Sequence, residues 1–246
     1  MTVRGPWLAL VVALFSLPLF VGLGRTDVGH DEAIYTFAVD RMLEIGDWLV
    51  PKSSPHEDEA FLEKPPLKFW IVAAPIRVGL LAHDEFGTRF WDALFGAVAF
   101  VYIFLIGVRL AGPVAGIVAL LILFVHWPLL FEHGLRSNNM EAPLFLSYCG
   151  GIFHALRWAS APDPRGIRRH AIATALFFVL GFMTKFVAAA FLPIVIGLVF
   201  VIVPETVSPC AGVSIVPNGL VAVVLSQVNV RVGKTVRWPS RSYMYA

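Results

Sequence analysis

The chain has 246 residues, of which 58% are hydrophobic, and its formal net charge at pH 7 is +2. Soluble globular domains contain roughly 45–50% apolar residues, so this composition indicates an integral membrane protein. The small net charge argues against nucleic acid as a partner, because binding to a phosphate backbone needs an excess of lysine and arginine. The two cysteines, Cys149 and Cys210, are too few for a disulfide framework and match no common zinc spacing.

Six apolar stretches approach the length of a transmembrane helix, which requires roughly 20 residues. They are 7–24, 90–108, 113–131, 142–158, 170–184 and 187–203. We interpret the first as a retained span, because it is long for a signal peptide and no small-residue cleavage site ends it. A further apolar stretch, 69–82, contains Pro75 and Arg77. For this stretch we predict a helix that lies at the membrane surface.

Charges in the short loops predict the orientation, because loops rich in lysine and arginine stay on the cytoplasmic side. The loop after the fourth span carries Arg157, Arg165, Arg168 and Arg169. We therefore predict a cytoplasmic position for this loop. Loop 25–89, the turn 132–141 and Lys185 then face outward. These three outward elements carry the unusual polar residues of the chain, so we expect a functional site on that face.

We predict an amphipathic helix at 32–45 in the first outer loop. Apolar residues recur there on one face, and Asp40 and Glu44 lie on the opposite face. Asp31 and Glu32 stand at its first turn. Acids at a helix start can cap backbone N–H groups and complement the helix dipole. They can also take a proton from an acceptor group at the membrane surface. The two interpretations are compatible.

The sequence Glu63-Lys64-Pro65-Pro66 follows in the same loop. The two prolines remove backbone donors and forbid a regular helix there, so we predict that they hold Lys64 in an extended turn before a helix that begins near Leu67. A fixed ammonium close to the lipid head groups can bind a phosphate. The alternative is a lysine that snorkels from a loop to the membrane surface.

Three more ionisable residues stand beside apolar helices on the outward face. Lys185 separates the fifth and sixth spans, and an ionisable residue among membrane spans indicates a functional site. A short turn with an exposed lysine is the alternative. Arg136 and Glu141 bracket the turn after the third span, and they either belong to the site or pair with each other near the surface. No metal site and no cofactor are predicted from the residues, although a divalent metal stays open.

Five stretches of this chain occur in the order in which a known family has them. They are HDEAIYTFAVDRMLEIGDWLVP, FLEKPPLKFW, GTRFWDALFGA, LRSNNMEAPLFL and GFMTKF. Across about residues 5–203 the chain resembles the bacterial branch of the protein O-mannosyltransferase superfamily, which includes the transferases that add aminoarabinose to lipid A. The resemblance implies an all-α polytopic glycosyltransferase of the bacterial cytoplasmic membrane. It would move a mannose-like or aminoarabinose-like sugar from polyprenyl phosphate to a protein or lipid acceptor on the outer face.

The resemblance also implies roles for the matching positions. Asp31 would act on the acceptor as base or orienter, with Glu32 as its neighbour, and Lys64 would hold the donor phosphate beside Glu63. Glu141 stands where many family members have aspartate. Lys185 matches a lysine in a Leu-x-Lys-Gly pattern that is otherwise altered here. The expected site therefore comprises Asp31 and Glu32 as catalytic residues and Glu63, Lys64, Arg136, Glu141 and Lys185 as substrate-binding residues.

The last part of the chain differs from the rest. We assign 1–205 to the transferase domain, because 206–246 contains no acidic residue and does not resemble the family. Members of the family are much longer, so we expect a truncated or frame-shifted product that is inactive by itself, with a divergent tail as the alternative. The rival function is a non-catalytic lipid-binding protein or a transporter fragment. A transporter should show internal repeats, and the sequence contains no recognisable repeat.

Overall fold

The computed structural model describes residues 5–29, 31–52, 60–132 and 134–202. Within these ranges the regular elements are α-helices and one π-helical turn, Pro128–Glu132. The helices are α1 (Gly5–Phe20), α2 (Asp31–Ile45), α3 (Leu67–Arg77), α4 (Glu85–Ala111), α5 (Pro113–Phe124), α6 (Glu141–Ala159), α7 (Pro164–Ala189) and α8 (Phe191–Ile202). This architecture confirms the predicted all-α membrane fold. The predicted tail at 206–246 lies outside the described residues.

Each predicted span corresponds to a helix, although the lengths differ. By length and composition, α4 and α7 can cross a bilayer, while α1 and α5 contain shorter apolar segments. The predicted span 113–131 is wrong after Phe124, because α5 ends there and a π-helical turn, Pro128–Glu132, follows. Pro128 explains this end, because proline has no backbone N–H and its ring clashes with the preceding helical turn.

The helices α2 and α3 pack against each other, and α3 also contacts α4 and α7. The helix α2 begins at Asp31 as predicted, and Gly46, with a φ of 75°, follows its last residue. Its buried apolar side chains are Tyr35, Ala38, Val39 and Met42, which pack on Phe69, Val72 and Ala73 of α3. Of the apolar face predicted for this helix, Ala38 and Met42 are buried, whereas Ile34, Phe37 and Ile45 are exposed. Packing against α3, which lies far along the chain, selects the buried face.

The helices α6 and α7 form an antiparallel hairpin that carries the site at one end. The Tyr148 hydroxyl of α6 donates to the Ala188 carbonyl oxygen near the end of α7, at 2.7 Å. The predicted break between the fifth and sixth spans falls at Lys185, whereas α7 continues to Ala189. Lys185 has non-helical backbone angles, with φ −142° and ψ 73°, so the chain is kinked there. The kink therefore falls at the predicted break between the fifth and sixth spans.

Large apolar side chains stay exposed along the helices. Examples are Leu14, Ile122, Leu176 and Leu198, each of which is more than half exposed. Lipid tails are as apolar as leucine, so such faces are stable in a bilayer. A second set of apolar side chains is buried between α1, α4 and α5, including Leu19, Phe100, Phe104 and Leu120. The chain thus combines an internal core with helix faces suited to lipid.

Candidate functional site

Two lysines from distant parts of the sequence line one cavity of about 370 Å³. Its lining consists of Glu63, Lys64, Lys185, Phe186, Val187, Ala188 and Phe191. Lys64 enters this cavity from the segment just before α3, for which Pro66 is the N-cap residue. Lys185 enters it from the kink in α7. The wall of the cavity therefore combines two ammonium groups and the Glu63 carboxylate with four apolar residues.

A carboxylate lies near each ammonium group, and that of Glu141 is hydrogen-bonded to Lys185. The Lys185 ammonium donates to Glu141 Oε1 at 2.7 Å, and Glu141 is the first residue of α6. The Lys64 ammonium lies 3.8 Å from Glu63 Oε2, and its side chain is 18% exposed. A lysine ammonium has three donor hydrogens. Each ammonium can therefore keep its carboxylate partner and still bind an anion in the cavity.

The predicted alternative of a pair between Arg136 and Glu141 is wrong. Arg136 instead donates from Nη2 to the carbonyl oxygen of Val21, and its guanidinium lies 4.9 Å from the ring centre of Phe131. Burial and the neighbouring Arg89 lower the pKa of Arg136. Arg136 lines a different cavity, which has a volume of about 380 Å³. The residues that line it are Thr26, Asp27, Gly29, Glu32, Arg89, Phe131, Glu132, Arg136, Ser137 and Asn139. Arg136 is therefore not in the wall that Lys64 and Lys185 share.

A buried tyrosine of α2 lies among three of the predicted acids. Burial, and then the negative charges of Glu141, Asp31 and Glu63 in that order, raise the pKa of Tyr35 to about 12. Asp31 itself is exposed, and within the described ranges no hydrogen bond or ion pair reaches its carboxylate. Tyr35 was not predicted as a site residue. It shows that acids from α2, α6 and the loop before α3 converge on one region.

Glu32 has surroundings opposite to those of its neighbour. It is buried, and its carboxylate accepts from Arg89 Nε at 2.7 Å and from Arg89 Nη2 at 2.9 Å. Its Oε1 also accepts the backbone N–H of Asn138 at 2.7 Å. Arg89 further donates to the carbonyl oxygens of Leu23 and Thr26. Glu32 therefore ties α2 to α4 and to the turn before α6.

A buried ion pair joins α3 to α4, and sequence reasoning missed it. The Lys68 ammonium donates to Asp92 Oδ2 and to Asn138 Oδ1, both at 2.7 Å. Lys68 and Asp92 are almost completely buried. The sequence does contain a signal for this pair, because Lys68 and Asp92 are charged residues within otherwise apolar stretches. Burial of a charged residue costs free energy unless a partner of opposite charge is present. The sequence pattern favoured Lys64 as the site residue, because Lys64 precedes two prolines.

The site offers anion binding and proton transfer from its own side chains. The two ammonium groups suit an anion, and the exposed Asp31 carboxylate can accept a proton. Within the ranges that the structure describes, no group of three or more His, Cys, Asp or Glu side chains could hold a metal ion.

Curated relatives match most of this chain. An undecaprenyl phosphate-alpha-4-amino-4-deoxy-L-arabinose arabinosyl transferase of Edwardsiella ictaluri (strain 93-146) is 29% identical over 200 residues, which cover 80% of this chain and 34% of the relative. A second transferase with this description, from Pseudomonas fluorescens, is 29% identical over 224 residues, covering 89% of this chain and 36% of the relative. The chain thus spans about a third of the length of these relatives.

Two solved structures share the fold. The crystal structure of ArnT from Cupriavidus metallidurans in the apo state has a TM-score of 0.65 and 22% identity, covering 97% of this chain and 46% of ArnT. The crystal structure of ArnT from Cupriavidus metallidurans bound to undecaprenyl phosphate has a TM-score of 0.63 and 20% identity. This match covers 94% of this chain and 43% of ArnT.

The family match covers more than half of the chain. The family model described as dolichyl-phosphate-mannose-protein mannosyltransferase matches residues 63–230. This range begins at Glu63 and contains Lys64, Glu141 and Lys185. It also extends into 206–246, where we recognised no family motif. The chain therefore belongs to the dolichyl-phosphate-mannose-protein mannosyltransferase family.

Proposed function

We propose that the chain functions as an integral membrane glycosyltransferase whose donor is a sugar linked to polyprenyl phosphate. The observation that carries this proposal is the cavity shared by Lys64 and Lys185. It combines two cations with an apolar wall, as a lipid phosphate requires. The binding of undecaprenyl phosphate to ArnT, which has the same fold, and the descriptions of the curated relatives support the same donor class.

The donor phosphate would lie between the two ammonium groups. Charge-assisted hydrogen bonds from both lysines would stabilise the negative charge that develops on the phosphate as the sugar leaves. The Glu141 carboxylate, 2.7 Å from the Lys185 ammonium, would keep that group in place before the donor arrives. Phe186, Val187 and Phe191 would contact the first units of the polyprenyl chain.

Asp31 is the proposed group for the acceptor. An acceptor oxygen attacks the anomeric carbon of the sugar, a new C–O bond forms, and the bond from that carbon to the phosphate oxygen breaks. With a hydroxyl acceptor, the proton passes to the Asp31 carboxylate. With a phosphate acceptor that attacks through an ionised oxygen and keeps one acidic proton, the Asp31 carboxylate accepts a hydrogen bond from the P–O–H group and orients the phosphate. Glu32 is already engaged by Arg89, so we assign it a positioning role and not proton transfer.

The class of sugar and of acceptor is proposed from the descriptions of the curated relatives. Their descriptions name an amino-deoxy-arabinose on undecaprenyl phosphate as the donor, so we propose this class of sugar and a lipid acceptor. We place the reaction on the outer face of the bacterial cytoplasmic membrane, because the loop with four arginines lies at the opposite ends of α6 and α7.

Donor binding by the purified chain tests this proposal. Labelled undecaprenyl phosphate is titrated into the full chain in detergent, and the bound fraction is measured. Lys64→Ala and Lys185→Ala should each weaken binding by about ten- to a hundred-fold, since a hydrogen bond to a charged group contributes roughly 1.5–3 kcal/mol. Lys64→Arg should restore only part of the affinity, because the guanidinium differs in shape and hydration.

The control is Arg77→Gln, which removes an exposed cation at the end of α3 without changing the cavity lining. It should bind the lipid as the unsubstituted chain does. Unchanged affinity in both lysine variants would refute the phosphate site.

A further inference from the structure

A second cationic cavity lies at the other end of the α6–α7 hairpin. Its volume is about 450 Å³, and it is lined by Arg157, Ser160, Ala161, Pro162, Asp163, Arg165, Gly166, Arg169 and His170. The helix α6 begins at Glu141 and has 19 residues, so at 1.5 Å per residue it separates this cavity from Glu141 by about 28 Å. The cavity is therefore distinct from the one that Lys64 and Lys185 share.

The positive charge of this cavity exceeds its negative charge. Three arginines line it against a single acid, Asp163. The Asp163 carboxylate caps α7 and accepts the backbone N–H of Gly166 at 2.7 Å. In the described part of the chain, no carboxylate forms an ion pair with Arg157, Arg165 or Arg169. Exposed guanidinium groups thus converge on one concavity in which the only carboxylate already serves as a helix cap.

The orientation rule explains why arginines are present in this loop but not why they surround one cavity. Arg168 is in the same turn of α7 and is exposed, yet it is not part of the lining. The convergence of the other three therefore depends on the folded hairpin. Guanidinium forks are suited to phosphate oxygens, which they bind through paired hydrogen bonds.

We propose that this cavity binds a phosphate group, supplied by an anionic phospholipid at this end of the helices. Helical spacing supports the lipid source, because residues three or four apart lie on one face. Arg165 and Arg169 share a face of α7 with Ile172 and Leu176, which are 49% and 64% exposed. A lipid whose phosphate occupies the cavity would lay its acyl chains along these apolar residues. Basic pockets between membrane helices bind such head groups.

The test measures the thermal unfolding midpoint of the full chain in detergent. Phosphatidylglycerol, phosphatidylcholine and inorganic phosphate are titrated separately at matched concentrations. Phosphatidylglycerol should raise the midpoint in a saturable way, because a ligand that binds the folded state stabilises it. An equal rise with inorganic phosphate would support the site and identify a soluble phosphate as its ligand. An equal rise with phosphatidylcholine would overturn the proposal, since the net charge of the lipid would then be irrelevant.

Matched variants separate the cavity from the general charge of the loop. Arg169→Gln should weaken the apparent affinity for phosphatidylglycerol by about fivefold, while Arg168→Gln should change it by less than about twofold. Each variant removes one exposed arginine from the same turn. Equal losses in the two variants would show a diffuse surface attraction and would overturn the site. The midpoint without lipid is measured for both variants and should match that of the unsubstituted chain.

Discussion

At the scale of residues, two adjacent acids have different surroundings and should have different roles. The exposed Asp31 carboxylate is available to an acceptor, whereas Glu32 is buried against Arg89 and the backbone of Asn138. The sequence alone does not distinguish the two acids, because both lie in the first turn of α2. Only the position of Arg89, in a helix 57 residues further on, distinguishes them.

Substitutions at these two positions should therefore affect different measurements. Asp31→Asn should lower sugar transfer by about 10²–10⁴-fold, the range for loss of a general base, while donor binding and the unfolding midpoint stay unchanged. Glu32→Ala should lower the free energy of unfolding by about 3–5 kcal/mol, because it leaves the Arg89 guanidinium buried without its carboxylate. Transfer is measured in a full-length relative that carries the matching substitution, because the chain by itself is expected to be inactive, and unfolding is measured on the chain in detergent.

Two results would contradict these roles. One is transfer by Asp31→Asn at the rate of the unsubstituted chain, which would remove Asp31 from the reaction. The other is an unchanged unfolding midpoint for Glu32→Ala, which would mean that its ion pair does not stabilise the fold.

At the scale of elements, the position of α3 decides where Lys64 lies. This helix has 11 residues, and isolated helices of that length are marginal in water. Its stability therefore depends on packing against α2 and on the buried Lys68–Asp92 pair with α4. Because Lys64 stands three residues before α3, a displaced α3 would also move the proposed phosphate ligand.

Breaking this buried pair should thus affect both stability and donor binding. Lys68→Met should destabilise the chain by about 3–5 kcal/mol, because Asp92 stays buried without a cation. The double variant Lys68→Met/Asp92→Leu should recover most of that loss, since replacing both charges by apolar groups is often neutral. Unfolding and undecaprenyl phosphate binding are measured on the same samples.

An exposed pair provides the control. Glu44→Gln breaks the ion pair between Arg41 and Glu44 on the surface of α2, and it should change the free energy of unfolding by less than about 1 kcal/mol. If the double variant is no more stable than Lys68→Met alone, the charge of Asp92 is not the cause of the loss.

At the scale of the whole molecule, the two cationic cavities lie at opposite ends of α6 and α7. This arrangement predicts that the loop before α3 and the loop between α6 and α7 are on opposite sides of the membrane. Single cysteines replace the exposed Leu62 and Pro162, in a background without Cys149 and Cys210. In intact cells an impermeant thiol reagent should label Leu62→Cys and not Pro162→Cys. Both should react after the membrane is opened, and the reverse pattern would invert the proposed orientation.

The amino-acid sequence by itself determined the class of the protein and the approximate helices, and it predicted the cations of the proposed site. Hydropathy marks helices because about 20 apolar residues must match the bilayer thickness, and the motif around Lys64 carries the resemblance to the family. Only the tertiary structure decided which charges meet. Glu141 pairs with Lys185 and not with Arg136, and Glu32 pairs with Arg89. Partners so far apart along the chain depend on how helices pack, and neither hydropathy nor helical periodicity contains that information.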